Sequence, residues 1–135
     1  MSDDSQRTHP ETLRLKSVSA ALTVNDLQVS LDWYCGIVGF HLESRFEHEG
    51  VLRGAELVAG DQAIVLSQDD WAKGRDRPKG QAIRLYFQTS QDVDEVAAAI
   101  TARGGTLASD PADMPWGARA FNLVDPDGFH MTISS

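Results

Sequence analysis

Apolar and polar positions along this chain follow two alternating rhythms. Val18, Ala20, Leu22 and Val24 alternate with Ser17, Ser19, Ala21 and Thr23, the period-two pattern of a strand with one apolar face and one small or polar face. Asn25 or Asp26 then supplies a helix N-cap, and Leu27, Leu31, Tyr34 and Val38 recur at helical spacing until Gly39 ends the run. Three further strands are predicted over residues 40–47, 51–58 and 63–67, with turns at Glu49-Gly50 and Ala59-Gly60-Asp61.

The same order then recurs. Residues 82–88 read as a strand, and a helix begins near Asp92 and runs through Val93, Val96, Ala97 and Ile100 to Gly104-Gly105. Residues 106–109 are extended, and residues 118–124 and 129–134 read as strands around the turn Asp125-Pro126-Asp127-Gly128. The interval from Asp26 to Gly39 equals that from Asp92 to Gly105. Identity between the halves is slight, so this spacing is the evidence for a duplicated βαβββ unit. The predicted organisation is a flexible N-terminal tail over 1–16, then one domain over 17–134. Within it, module one spans 17–67, a linker rich in Asp, Lys, Arg, Gly and Pro spans 68–81, and module two spans 82–134.

Leu22-Thr-Val-Asn-Asp-Leu27, then Leu31-Asp-Trp-Tyr34 and Val38-Gly-Phe40, resembles the opening of vicinal-oxygen-chelate proteins. That superfamily includes glyoxalase I, bleomycin-resistance proteins, fosfomycin-resistance enzymes and extradiol dioxygenases. Pro115-Trp-Gly-Ala-Arg119, followed by Asp125-Pro-Asp-Gly128 and a last strand, is similar to the ending of the same superfamily. The resemblance implies an α+β fold in which two βαβββ modules form curved mixed sheets around a concave cleft, in a homodimer. It implies no single chemistry, because the fold hosts several.

Enzymes of the superfamily chelate a divalent metal with four inward His, Glu or Gln side chains. The resemblance puts those positions at Ser19, at Arg84, at Thr132 and in the run Ala63-Ile-Val-Leu66. Two hydroxyls, a guanidinium and an apolar group do not hold a divalent cation, and Arg84 repels one. Neither a metal nor any other cofactor is expected. His9 lies in the tail, His41 and His48 flank a hairpin, and His130 alone does not make a metal site.

A binding cleft then becomes the candidate. Arg84, Tyr86 and Gln88 share one strand face, opposite Ile83, Leu85 and Phe87. Arg84 has two readings: an internal salt bridge with Glu56 as the partner, or an anchor for a ligand carboxylate or phenolate. Trp71 in the linker and Trp116 in the Pro-Trp-Gly loop offer flat stacking surfaces, whereas Trp33 and Cys35 read as helix packing. For Trp116 the resemblance to bleomycin-resistance proteins implies a place in a ligand groove. The alternative is a loop anchor. The candidate ligand-binding set is Ser19, Trp71, Arg84, Tyr86, Trp116, Arg119, His130 and Thr132, and no residue is assigned a catalytic role.

Composition narrows the partners. The 135 residues carry a formal charge of −8, with 41% hydrophobic and 24% charged residues, which suits a globular chain and opposes nucleic acid or an anionic membrane as partner. One cysteine excludes an internal disulfide, and the opening residues carry no signal pattern, so a cytoplasmic protein is expected. The leading reading is a metal-free protein that sequesters a small molecule, with aromatic or cationic antibiotics among the candidates. The competing reading is an enzyme, either a lyase or dioxygenase with displaced metal ligands or a metal-free catalyst using His130 or Tyr86. A module that scaffolds a partner protein is the third.

Overall fold

A computed structural model describes residues 12–135. Most of the expected tail, with His9, lies outside the described residues. Residues 12–19 are exposed and enter no helix or strand, and Leu13, Leu15 and Val18 are open to solvent.

Module one comprises β1 (Ala20–Val24), α1 (Leu27–Trp33), a π-helical turn at Tyr34–Val38, β2 (His41–His48), β3 (Val51–Ala59) and β4 (Gln62–Gln68). Module two comprises β5 (Arg84–Gln88), α2 (Val93–Ala102), β6 (Ser109–Asp113), β7 (Arg119–Val124) and β8 (His130–Ser134). The sheets have orders β1-β4-β3-β2 and β5-β8-β7-β6, so the duplicated pattern is a duplicated topology. In each, the first strand pairs parallel with the last, as in Leu22 with Leu66 and Tyr86 with Thr132, and the other pairings are antiparallel. The two mixed sheets share no ladder and close no barrel.

Asp26 caps α1 as its carboxylate accepts from the N–H groups of Gln28 (3.1 Å) and Val29 (3.2 Å). Asp92 does the same for α2 through Glu95 N–H at 3.2 Å. The buried positions of α2, Val93, Ala97 and Ile100, form one helical stripe. The first helix departs from the regular run expected over 27–38. After Trp33 it widens into the π turn, whose carbonyls at Ile37 and Val38 accept from Arg103 Nε (2.7 Å) and Nη2 (2.9 Å) at the end of α2. One guanidinium thus satisfies end carbonyls that helix termini leave open, and ties the modules together. Gly105 follows from the same junction: a Cβ there would stand 2.6 Å from Ile100 Cγ2 and 2.7 Å from Ile37 Cγ2. The sixth strand, expected at 106–109, forms at Ser109–Asp113.

One apolar core serves both modules. Leu22, Leu57 and Leu66 of sheet one, Leu31 and Tyr34 of the first helix, Ile100 of α2 and Phe121, Leu123 and Met131 of sheet two are all buried in it. Each such aliphatic side chain contributes about 1.5–3 kcal/mol on leaving water. Edge-to-face contacts run from Tyr34 to Phe40 (5.7 Å) and from Phe40 to Phe87 (6.0 Å), joining the first helix to β5. The helix-facing sides of the sheets are therefore committed to packing, and chemistry is left to the outer faces.

Candidate functional site

Alternation along β5 sends Leu85 and Phe87 towards the core and leaves Arg84, Tyr86 and Gln88 on the outer face. The neighbouring strands add His130 and Thr132 from β8 and Asn122 from β7, opposite the core residues Met131, Ile133 and Leu123. Arg84 Nη1 donates to Thr132 Oγ1 (3.1 Å) and to Asn122 Oδ1 (3.3 Å). The Thr132 hydroxyl donates to the same Asn122 oxygen at 2.6 Å. Two donors converging on one amide oxygen fix the Asn122 orientation and turn its amide nitrogen away from the guanidinium.

The Arg84–Glu56 salt bridge does not form. Glu56 lies on β3 in sheet one, paired in register with Ser44 and Val65, while Arg84 takes neutral acceptors on its own sheet. Among the described residues Arg84 has no carboxylate partner. An open pocket of about 550 Å³ adjoins it, lined by Lys79, Gly80, Gln81, Ala82, Ile83, Arg84, Gly128 and His130.

The remaining candidates are dispersed. Ser19 precedes β1 in the other sheet and is exposed. Trp116 is 67% exposed in the β6–β7 loop. That loop stands at the Gln88–Ser134 end of sheet two, and the pocket stands at the Arg84–His130 end. Arg119 shares the core-facing side of β7 with Phe121 and Leu123. It ion-pairs with Asp94 of α2 (2.7 Å) and Asp113 (3.1 Å), away from the outer face. Trp71 is half-buried in the linker with a left-handed φ of 61°, its ring near Arg75 (4.7 Å) and Lys79 (5.3 Å).

That linker is held by a buried hub invisible to motif reading. Asp69 accepts from Lys79 Nζ (2.8 Å), Trp71 N–H (2.9 Å) and Arg77 Nη2 (3.3 Å). The Lys79 ammonium, then the Trp71 amide, hold the Asp69 carboxyl down to about 2. Lys79 also donates to Asn25 Oδ1 at 2.6 Å, and Asn25 N–H donates to Asp127 at 3.2 Å. Beside them the buried Tyr34 hydroxyl donates to Asp125 at 2.7 Å, so the Asp-Pro-Asp-Gly turn also anchors the first helix. Burial, reinforced by Asp125, pushes the Tyr34 phenol far above its ordinary range, which keeps it a donor. Burial and Asp125 also push the Asp127 carboxyl up. The only sequence signal for this seam was the clustering of Asp at 69–70 and 125–127.

The donor set does not fit a divalent metal. Of the positions implied by the resemblance, Ala63 and Val65 are the outward residues of their run and both are apolar, Thr132 is engaged with Asn122, and Arg84 is cationic. Among the described residues no three His, Cys, Asp or Glu side chains converge to hold one elsewhere.

Two βαβββ modules back to back on one core, with polar groups on the outer sheet faces, define a class of small duplicated α+β proteins. The chain belongs to the Glyoxalase/Bleomycin resistance protein/Dioxygenase superfamily, whose model matches residues 16–133. Among solved structures it is similar to TioX from Micromonospora sp. ML1, at 25% identity over 86% of this chain and 94% of that one, TM-score 0.70. A superfamily member from Sphaerobacter thermophilus DSM 20745 is 29% identical over 86% and 93% of the two chains, TM-score 0.67. A glyoxalase/bleomycin resistance protein from Streptomyces sp. CB03234 is 25% identical over 87% and 97%, TM-score 0.65. A search of curated proteins finds no match. No helix among the described residues is long and apolar enough to cross a membrane.

Proposed function

We propose that this protein is a metal-independent small-molecule-binding member of the superfamily. It sequesters an organic ligand against the outer face of sheet two, in a homodimer whose second copy covers that face. The observation carrying this reading is Arg84, held by Asn122 and Thr132 where metal-dependent relatives are expected to place a ligand. A preorganised guanidinium beside a pocket of about 550 Å³ is equipment for recognition. Tyr86, 53% exposed two residues along the same face, supports an aromatic ligand and a covering partner. A cationic antibiotic fits this face poorly, because the guanidinium repels a cation placed beside it. The free thiol of Cys35 suits a reducing cytoplasm.

Isothermal titration with a panel of aromatic acids, amides and amines tests binding, and sedimentation equilibrium tests the dimer. Saturable binding that survives exhaustive treatment with EDTA is the expected result. Binding that is lost with EDTA and restored by one divalent metal would overturn it.

A further inference from the structure

Building on the binding reading above, we infer that the free edge of Arg84 receives a carboxylate, and that the rest of the ligand lies in the adjoining pocket. Among the described residues, both hydrogen bonds of the guanidinium leave from Nη1. Nε and Nη2 donate to no protein acceptor among the described residues. These two nitrogens form the side-on fork whose parallel N–H bonds match the two oxygens of a planar carboxylate. The Asn122 and Thr132 contacts hold the fork before a ligand arrives, so little side-chain freedom is lost on binding.

The surroundings separate a carboxylate from its competitors. His130, the register partner of Arg84 on β8, supplies another polar edge at the pocket. The nearest ammonium, Lys79, is 5% exposed and spends its donors on Asp69 and Asn25. One available guanidinium suits a monoanion; a phosphate dianion calls for a second cation, and the Lys79 ammonium lining the pocket is already paired with Asp69. The rest of the pocket is mixed, with Gln81 polar and the other residues small or apolar. Ile83 is 48% exposed, Ala82 has only a methyl group, and Gly80 and Gly128 present bare backbone. This lining suits a flat apolar body carrying a single acid group, such as an aromatic carboxylic acid.

The test is calorimetric titration of the full chain with 2-naphthoate, 2-naphthamide and 2-naphthylmethylammonium. The probes share one ring system and differ in the group offered to Arg84. The protein should bind 2-naphthoate about tenfold or more tightly than the amide, and the ammonium least. Arg84→Lys, which keeps the charge but loses the fork, should weaken 2-naphthoate about tenfold and leave the amide unchanged. Arg45→Gln on β2 controls for net charge and should leave 2-naphthoate binding intact. Circular dichroism checks that each variant folds. Equal binding of acid and amide, or an Arg84→Lys variant that binds 2-naphthoate like the parent, would overturn the carboxylate assignment and leave the binding reading standing. Saturation by none of the three probes would count against both.

Discussion

Tyr34→Phe isolates one buried hydrogen bond between the modules. The Tyr34 ring is fully buried and packs edge-to-face on Trp33 (4.8 Å) and Phe40 (5.7 Å), contacts that Phe keeps. What disappears is the hydroxyl donating to Asp125 at 2.7 Å. Asp125, itself 4% exposed, retains the Asp127 and Phe129 N–H donors on its other oxygen, and the oxygen that faced Tyr34 loses its partner. A hydrogen bond to a buried carboxylate contributes about 1.5–3 kcal/mol, so a loss near 2 kcal/mol is expected. With a urea m-value of about 2 kcal/mol/M the unfolding midpoint should fall by about 1 M. The assay is urea denaturation followed by tryptophan fluorescence for the parent, Tyr34→Phe, Asp125→Asn and the double variant. A coupling energy of about 1 kcal/mol or more is expected. A Tyr34→Phe midpoint equal to the parent's would refute the reasoning, since it would mean the hydroxyl gains no more from Asp125 than from water.

Three further outcomes follow from the same geometry. Gly80→Ala should destabilise by about 2 kcal/mol or more and reshape the pocket, because φ there is +75° and a Cβ would lie 2.2 Å from the Gly128 carbonyl oxygen; thermal denaturation reads it. Asp69 has a lowered carboxyl, so the stability it contributes is present above its unfolded value of 3.8 and is lost as pH falls towards about 2. Asp69→Asn should therefore flatten the stability–pH profile between those limits, and an unchanged slope would discount the hub. Burial and Asp32 raise the Cys35 thiol, so its reaction with a disulfide reagent at pH 8 should be slower in the folded protein than in urea; equal rates would contradict the packing.

Much of the fold could be read directly. Alternation over Ala20–Val24 and helical spacing from Leu27 and Val93 are local consequences of side chains meeting one buried face, so they identify strands and helices without tertiary knowledge. The same alternation at Ser17–Ser19 forms no strand and Val18 stays in solvent, because the pairing with β4 begins only at Ala20. The turn role of Asp125-Pro-Asp-Gly128 was legible from local chemistry. Its second role, accepting the Tyr34 hydroxyl across 91 residues, was not. The site divides similarly. Placing Arg84, Tyr86 and Gln88 on one face needs only the strand period, while His130 and Thr132 join them through the parallel pairing of β5 with β8. Arg119 illustrates the converse. Its motif suggested a binding loop, but its strand parity directs it to α2 and Asp94.

From sequence alone, then, came the duplicated βαβββ order and the outward face of β5, properties set by near-neighbour chemistry and period, while the metal-ligand positions at Ser19, Arg84 and Thr132 came only from the family resemblance. Tertiary structure decided which groups meet. Glu56 and Arg84 lie on different sheets and do not pair, Trp116 stands at the far end from the pocket, and Asn122 and Thr132 orient the guanidinium. Partner choice depends on register and sheet order across long chain separations, and nothing local in a sequence encodes those distances.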